Sequence, residues 1–132
     1  MGWMLAFRAA MSDPLKPLRV PGVSSLPEGE GRKVRFERDG QTEEVLLCRV
    51  GGKLYAADTY CPHEGGRLAE GPLSRERYAV CPLHLYRFDP KDGSCVGIEC
   101  DPIKVYRAEE EDGVALVWIV EPEEWEEDGL FP

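Results

Sequence analysis

The chain has 132 residues, 42% of them apolar and 31% charged, which suits one globular domain burying about two-thirds of its unfolded surface. Its net charge of −9 is lopsided: all 16 Lys and Arg precede residue 109, while residues 109–132 hold acids and no base. No cluster of bases suggests a nucleic-acid partner, and the longest apolar run, Val114 to Val120, falls well short of the roughly 20 residues a membrane span needs.

Residues 1–15 read as a loosely held arm without the basic start and long apolar core of a secretory signal, so a cytoplasmic address is expected. Strands follow. Lys33–Arg38 and Glu43–Val50 flank Asp39-Gly40-Gln41-Thr42, a hairpin pattern with an Asp-Gly turn signal. Both alternating faces of 45–50 are apolar enough to predict a strand covered on two sides. Gly51-Gly52 turns the chain into Lys53–Asp58, completing an antiparallel meander. Later strands are expected at Arg77–Cys81, Tyr86–Asp89, Lys104–Arg107 and Val114–Val120, with Trp118 in the core. Pro122–Asp128 allows one short acidic turn of helix inside a solubilising tail at 121–132. The organisation is one all-β domain over 16–120, with a metal-binding subdomain inserted at about 59–102.

That insertion carries two matched clusters, Cys61-Pro62-His63 and Cys81-Pro82-Leu83-His84, separated by residues 64–80. They contain both histidines of the chain. A zinc finger usually puts two cysteines on one element and two histidines on another. Here each loop offers one thiolate and one imidazole, which suits a [2Fe–2S] cluster with two cysteines on one iron and two histidines on the other. Pro62 and Pro82 stiffen the loops by fixing φ. A structural zinc site of unusual order is the competing assignment. Cys48 reads as a core residue; Cys95 and Cys100, in a C-x4-C spacing, allow a disulfide or an extra metal site, but a chain without export features favours two reduced thiols.

Over residues 16–120 the sequence resembles the Rieske-type [2Fe–2S] ferredoxins. Cys61-Pro62-His63-Glu64-Gly65-Gly66 is similar to the family's first cluster loop, and Cys81-Pro82-Leu83-His84, continuing through Tyr86 and Phe88 to Gly93, to its second. The resemblance implies three stacked antiparallel sheets with a two-loop cluster-binding subdomain. It also implies that Cys61 and Cys81 bind one iron and His63 and His84 the other, and that Pro102 lies in a shielding third loop. Leu85 stands where the family usually has glycine. High-potential members carry an extra disulfide-bonded cysteine in each loop, at positions that resemble Gly66 and Leu83. They also carry a Ser and a Tyr that donate to cluster and ligand sulfur, where this chain has Tyr86 and Phe88. Fewer donors stabilise an added electron less, so a potential near the low end of the Rieske range, around −150 mV, is expected.

The resemblance therefore implies a soluble, low-potential electron carrier rather than an enzyme. It would be a monomer working between a flavin-dependent reductase and a terminal oxygenase or other redox enzyme. A non-catalytic small subunit of an NAD(P)H nitrite reductase-like complex is the alternative, and a zinc-stabilised interaction module a third. Arg67, Arg75, Arg77, Arg87 and Lys91 make the cluster half comparatively basic, a pattern that usually reflects solvation and that around an electron exit would also orient an acidic redox partner.

Overall fold

The computed structural model describes residues 16–62, 66–82 and 86–119. These form ten strands: β1 (Leu18–Pro21), β2 (Glu30–Arg38), β3 (Gln41–Val50), β4 (Lys53–Asp58), β5 (Gly71–Pro72), β6 (Ala79–Cys81), β7 (Tyr86–Phe88), β8 (Cys95–Val96), β9 (Val105–Glu111) and β10 (Val114–Trp118). The described residues include a single 3₁₀ turn at Val23–Ser25 and no α-helix. No described helix is long and apolar enough to cross a membrane. The expected helical turn at 122–128 and the N-terminal arm lie outside the described residues.

The meander is tighter than its sequence suggested. Gln41 and Thr42 pair with Arg38 and Glu37, leaving Asp39 and Gly40 as a two-residue turn with φ of 52° and 78°. Positive φ at both central positions matches the right-handed twist of the flanking strands. Asp112-Gly113 repeats the device between β9 and β10, with φ of 51° and 77°. β1 had no expectation behind it: four residues flanked by prolines carry little strand signal, and its place at the sheet edge tolerates Pro21.

Seven strands join in the order β1-β10-β9-β4-β3-β2-β5, and β6-β7-β8 form a separate three-stranded sheet. Only Ala56–Tyr106 and Ala57–Val105 link β4 to β9. The β1-β10 end therefore turns over the meander, where Leu18, Ala115 and Val117 meet Phe36, Val45, Leu47 and Ala56 in one apolar cluster. On the opposite face, Leu46, Cys48, Val50 and Ala57 meet Ala79, Cys81 and Phe88 of the smaller sheet. The meander is thus the middle of three layers, and β3 is buried on both faces as expected. Cys48 is a core thiol, and burial pushes it up to about 12. Trp118 departs from expectation. β10 turns Ala115 and Val117 inward, leaving Trp118 half-buried with the Arg107 guanidinium 4.4 Å from its ring centroid.

Arg49 joins the outer layer to the middle one. From β3 it donates through Nε to the Leu26 carbonyl (2.9 Å) and through Nη2 to that of Val23 (2.8 Å). It also grips both carboxylate oxygens of Glu110 on β9, at 2.8 and 3.1 Å. The Arg49 hydrogen bond holds the Glu110 carboxyl below its ordinary 4.5. This contribution is complete above that pH and disappears as acid titrates the carboxylate through its lower folded value. Arg49→Met should cost about 3 kcal/mol in chemical unfolding at neutral pH and flatten the acid limb of the stability curve. Wild-type stability in that variant would show that the three partners are served by solvent.

Candidate metal centre

The segment carrying Cys61 is a short antiparallel hairpin. Leu68 N donates to Thr59 O at 2.7 Å, Tyr60 bridges Arg67, and Cys61 N donates to Gly66 O at 2.8 Å. The segment carrying Cys81 repeats the form. Ala79 pairs with Phe88, Val80 with Arg87 and Cys81 with Tyr86. Each cysteine sits on the last described rung before its loop tip. Ala69 N donates to Val80 O at 2.8 Å and ties the two hairpins side by side.

Both cysteines are fully buried, free of disulfides, and members of one apolar cluster with Leu68, Phe88 and Ile103. Two thiolates on adjoining hairpins in a dry, apolar pocket are the soft donors that suit iron or zinc. The third buried cysteine, Cys48, is placed differently. Its sulfur lies against Gly31, where an added Cβ would approach it to 3.6 Å. The donor set that is described therefore fits half of a mixed thiolate–imidazole centre. His63 and His84 lie outside the described residues, as do Leu83 and Leu85. Among the described residues no group of three potential metal ligands is gathered.

The surrounding residues divide by what they present. Pro62 is half-buried and Pro82 exposed. Phe88 is fully buried and has no side-chain donor, while Tyr86 is half-buried and packs against the same cluster. Pro102 is exposed, and it is the next residue, Ile103, that enters the core beside the two cysteines. Asp89–Ser94 builds a compact loop beneath it. Gly93 N donates to Asp89 O (2.7 Å), and Ile103 N donates to Gly93 O (2.9 Å). Hydrogen bonds from Ser94 to Asp92 hold that carboxyl below its ordinary range. Ile103 had escaped the sequence reading because a lone apolar residue beside a proline carries no motif.

The expectation of reduced thiols at Cys95 and Cys100 is overturned. They form a disulfide, with Cα atoms 5.7 Å apart, inside the ordinary window. Cys95 pairs with Phe88 across β7 and β8, and the chain then reverses to bring Cys100 back. The sequence argument weighed compartment alone and could not see this reversal. Alkylation of the unfolded apo chain without reductant should label Cys48, Cys61 and Cys81 and leave Cys95 and Cys100 unmodified. Labelling of both would contradict the bond.

Of the expected basic surround, Arg67 lies 6.0 Å over Tyr60 and Arg77 lies 5.3 Å over Tyr78. Tyr60, adjacent to Cys61, is 47% exposed.

A family model described as the Rieske [2Fe-2S] domain matches residues 16–107. The ferredoxin component of the naphthalene 1,2-dioxygenase system of Pseudomonas putida is 33% identical over 89 residues, 67% of this chain and 78% of that one. Among solved structures, the ferredoxin of carbazole 1,9a-dioxygenase from Nocardioides aromaticivorans superposes with a TM-score of 0.62 at 31% identity, covering 77% of this chain and 96% of its own. A ferredoxin-sized chain from a complex of reduced oxygenase and oxidised ferredoxin in carbazole 1,9a-dioxygenase gives 0.64 at 29% identity, covering 76% and 91%. Larger proteins match too. The cholesterol 7-desaturase of Hemicentrotus pulcherrimus is 34% identical over 77 residues, but these are 51% of this chain and only 16% of the desaturase.

Proposed function

Since the chain belongs to the Rieske [2Fe–2S] domain family, we propose that it is the ferredoxin of an oxygenase system. It would carry one electron from a flavin-dependent reductase to a ring-hydroxylating oxygenase. The observation that carries this reading is the matched placement of Cys61 and Cys81 on adjoining hairpins, both fully buried in one core. Cys61 and Cys81 hold one iron and His63 and His84 the other. The family's [2Fe–2S] cluster, when bound, supplies a one-electron couple.

The protein's own residues do the rest. Leu68, Phe88 and Ile103 keep water from the thiolate side. Phe88 offers no hydrogen bond to a sulfur, which supports a potential low in the Rieske range, around −150 mV. The positions that resemble the high-potential family's disulfide cysteines are Gly66 and Leu83. Transient electron-transfer contacts are small, so a cytoplasmic monomer fits the role.

The test is reconstitution. Holo-protein mixed with NADH and a flavin-dependent reductase should bleach in the visible. It should then recover on addition of an oxygenase and its aromatic substrate. A colourless protein would support a zinc module instead, and purification only with a large reductase subunit would favour the nitrite-reductase-like alternative.

A further inference from the structure

Thr59 is fully buried, and no other polar or charged residue among those described is buried to that degree. It stands two residues before Cys61, and metal ligation leaves it without a task. Its hydroxyl donates to Glu44 Oε1 at 2.9 Å and accepts from Arg67 Nη1 at 3.0 Å. A hydroxyl has one proton to give, so these partners fix its orientation: the proton faces the carboxylate and a lone pair faces the guanidinium. Glu44 belongs to β3 in the middle layer, with its other carboxylate oxygen 3.3 Å from Arg35 Nε. Arg67 belongs to the returning arm of the Cys61 hairpin, bridged to Tyr60.

Thr59 thus ties both arms of that hairpin to the central sheet. Its carbonyl accepts from Leu68 N on the returning arm, and its hydroxyl takes up Arg67 from the same arm. Valine has nearly the same shape and would fill the site without demanding partners. A hydroxyl fully removed from water needs both of them.

We propose that Thr59 is a positioning residue for the metal centre. Through Arg67 and Glu44 it fixes the angle at which the hairpin presents Cys61. The proposal rests on Cys61 being an iron ligand, as argued above.

The test compares holo wild type, Thr59→Val and Thr59→Ser by visible absorption, EPR of the reduced state, midpoint potential and rate of bleaching under EDTA. Thr59→Val should keep the far-ultraviolet circular dichroism of the wild type. It should bleach about tenfold faster, the loss expected for one hydrogen bond to a charged group, with a shifted potential and altered g anisotropy. Thr59→Ser should restore all three. Glu44→Gln and Arg67→Met leave the buried position filled and should each reproduce the Thr59→Val spectra, with no added effect in Thr59→Val/Glu44→Gln. A loaded wild type beside a Thr59→Val protein of unchanged potential, spectrum and bleaching rate would overturn the positioning role alone. The same unchanged readings in Glu44→Gln and Arg67→Met would overturn it if Thr59→Val fails to load. A wild type that binds no iron would overturn the ligand assignment beneath it.

Discussion

Serine at Cys61 or at Cys81 should leave a colourless chain. Each thiol is fully buried at the last described rung of its hairpin, in the apolar cluster that also holds Leu68, Phe88 and Ile103. A serine hydroxyl is a hard, weakly acidic donor and a poor substitute for thiolate on iron. Iron and acid-labile sulfide should fall below about a tenth of wild type, because metal affinity here is coupled to folding of the loops. The unfilled hydroxyl would also cost the apo fold about 1–3 kcal/mol. Cys48→Ser supplies the control. That thiol is equally buried and should cost a similar amount, yet the protein should keep its colour, since Cys48 lies on β3 with its sulfur against Gly31 and belongs to neither Cys-Pro hairpin. Equal loss of iron in all three variants would show that core damage, not ligation, is being measured.

Gly93→Ala should be the most destabilising single-methyl change. Gly93 is buried with φ of +83°, and a Cβ there would lie 2.2 Å from the Ile103 carbonyl oxygen. Backbone atoms form that obstacle, so no rotamer change relieves it, and the residue must also keep its bonds to Asp89 and Ile103. The expected cost exceeds about 4 kcal/mol in thermal or chemical unfolding, with loss of the wall that Ile103 forms beside the cysteines. Gly40→Ala is the comparison, because φ is +78° but nothing lies within 4 Å of the new Cβ, leaving only the backbone penalty of about 1 kcal/mol. A Gly93→Ala protein as stable as Gly40→Ala would mean that the third loop is free to move away.

Much of this molecule is legible in the sequence because its local signals agree with its global packing. The Asp39-Gly40 and Gly51-Gly52 turns set the meander, and the two apolar faces of β3 mark it as the central layer. The repeated Cys-Pro pattern marked the two hairpins on which Cys61 and Cys81 are buried. What stayed hidden is non-local. The Cys95–Cys100 bond depends on a chain reversal after β8, and β1 depends on pairing with a strand almost a hundred residues away. Thr59 reads as an ordinary residue after a strand until Glu44 and Arg67 are brought to it. Trp118 shows the converse error, since hydrophobicity alone put it in a core that β10 turns away from.

The most direct test of the central claim, mixed cysteine–histidine ligation of a two-iron centre, is EPR with nitrogen ENDOR on the dithionite-reduced protein. The account predicts an average g value below that of an all-cysteine cluster and two distinct imidazole nitrogen couplings, with the two-nitrogen pattern lost in His63→Cys and in His84→Cys. An average g like that of an all-cysteine cluster, without nitrogen coupling, would contradict it.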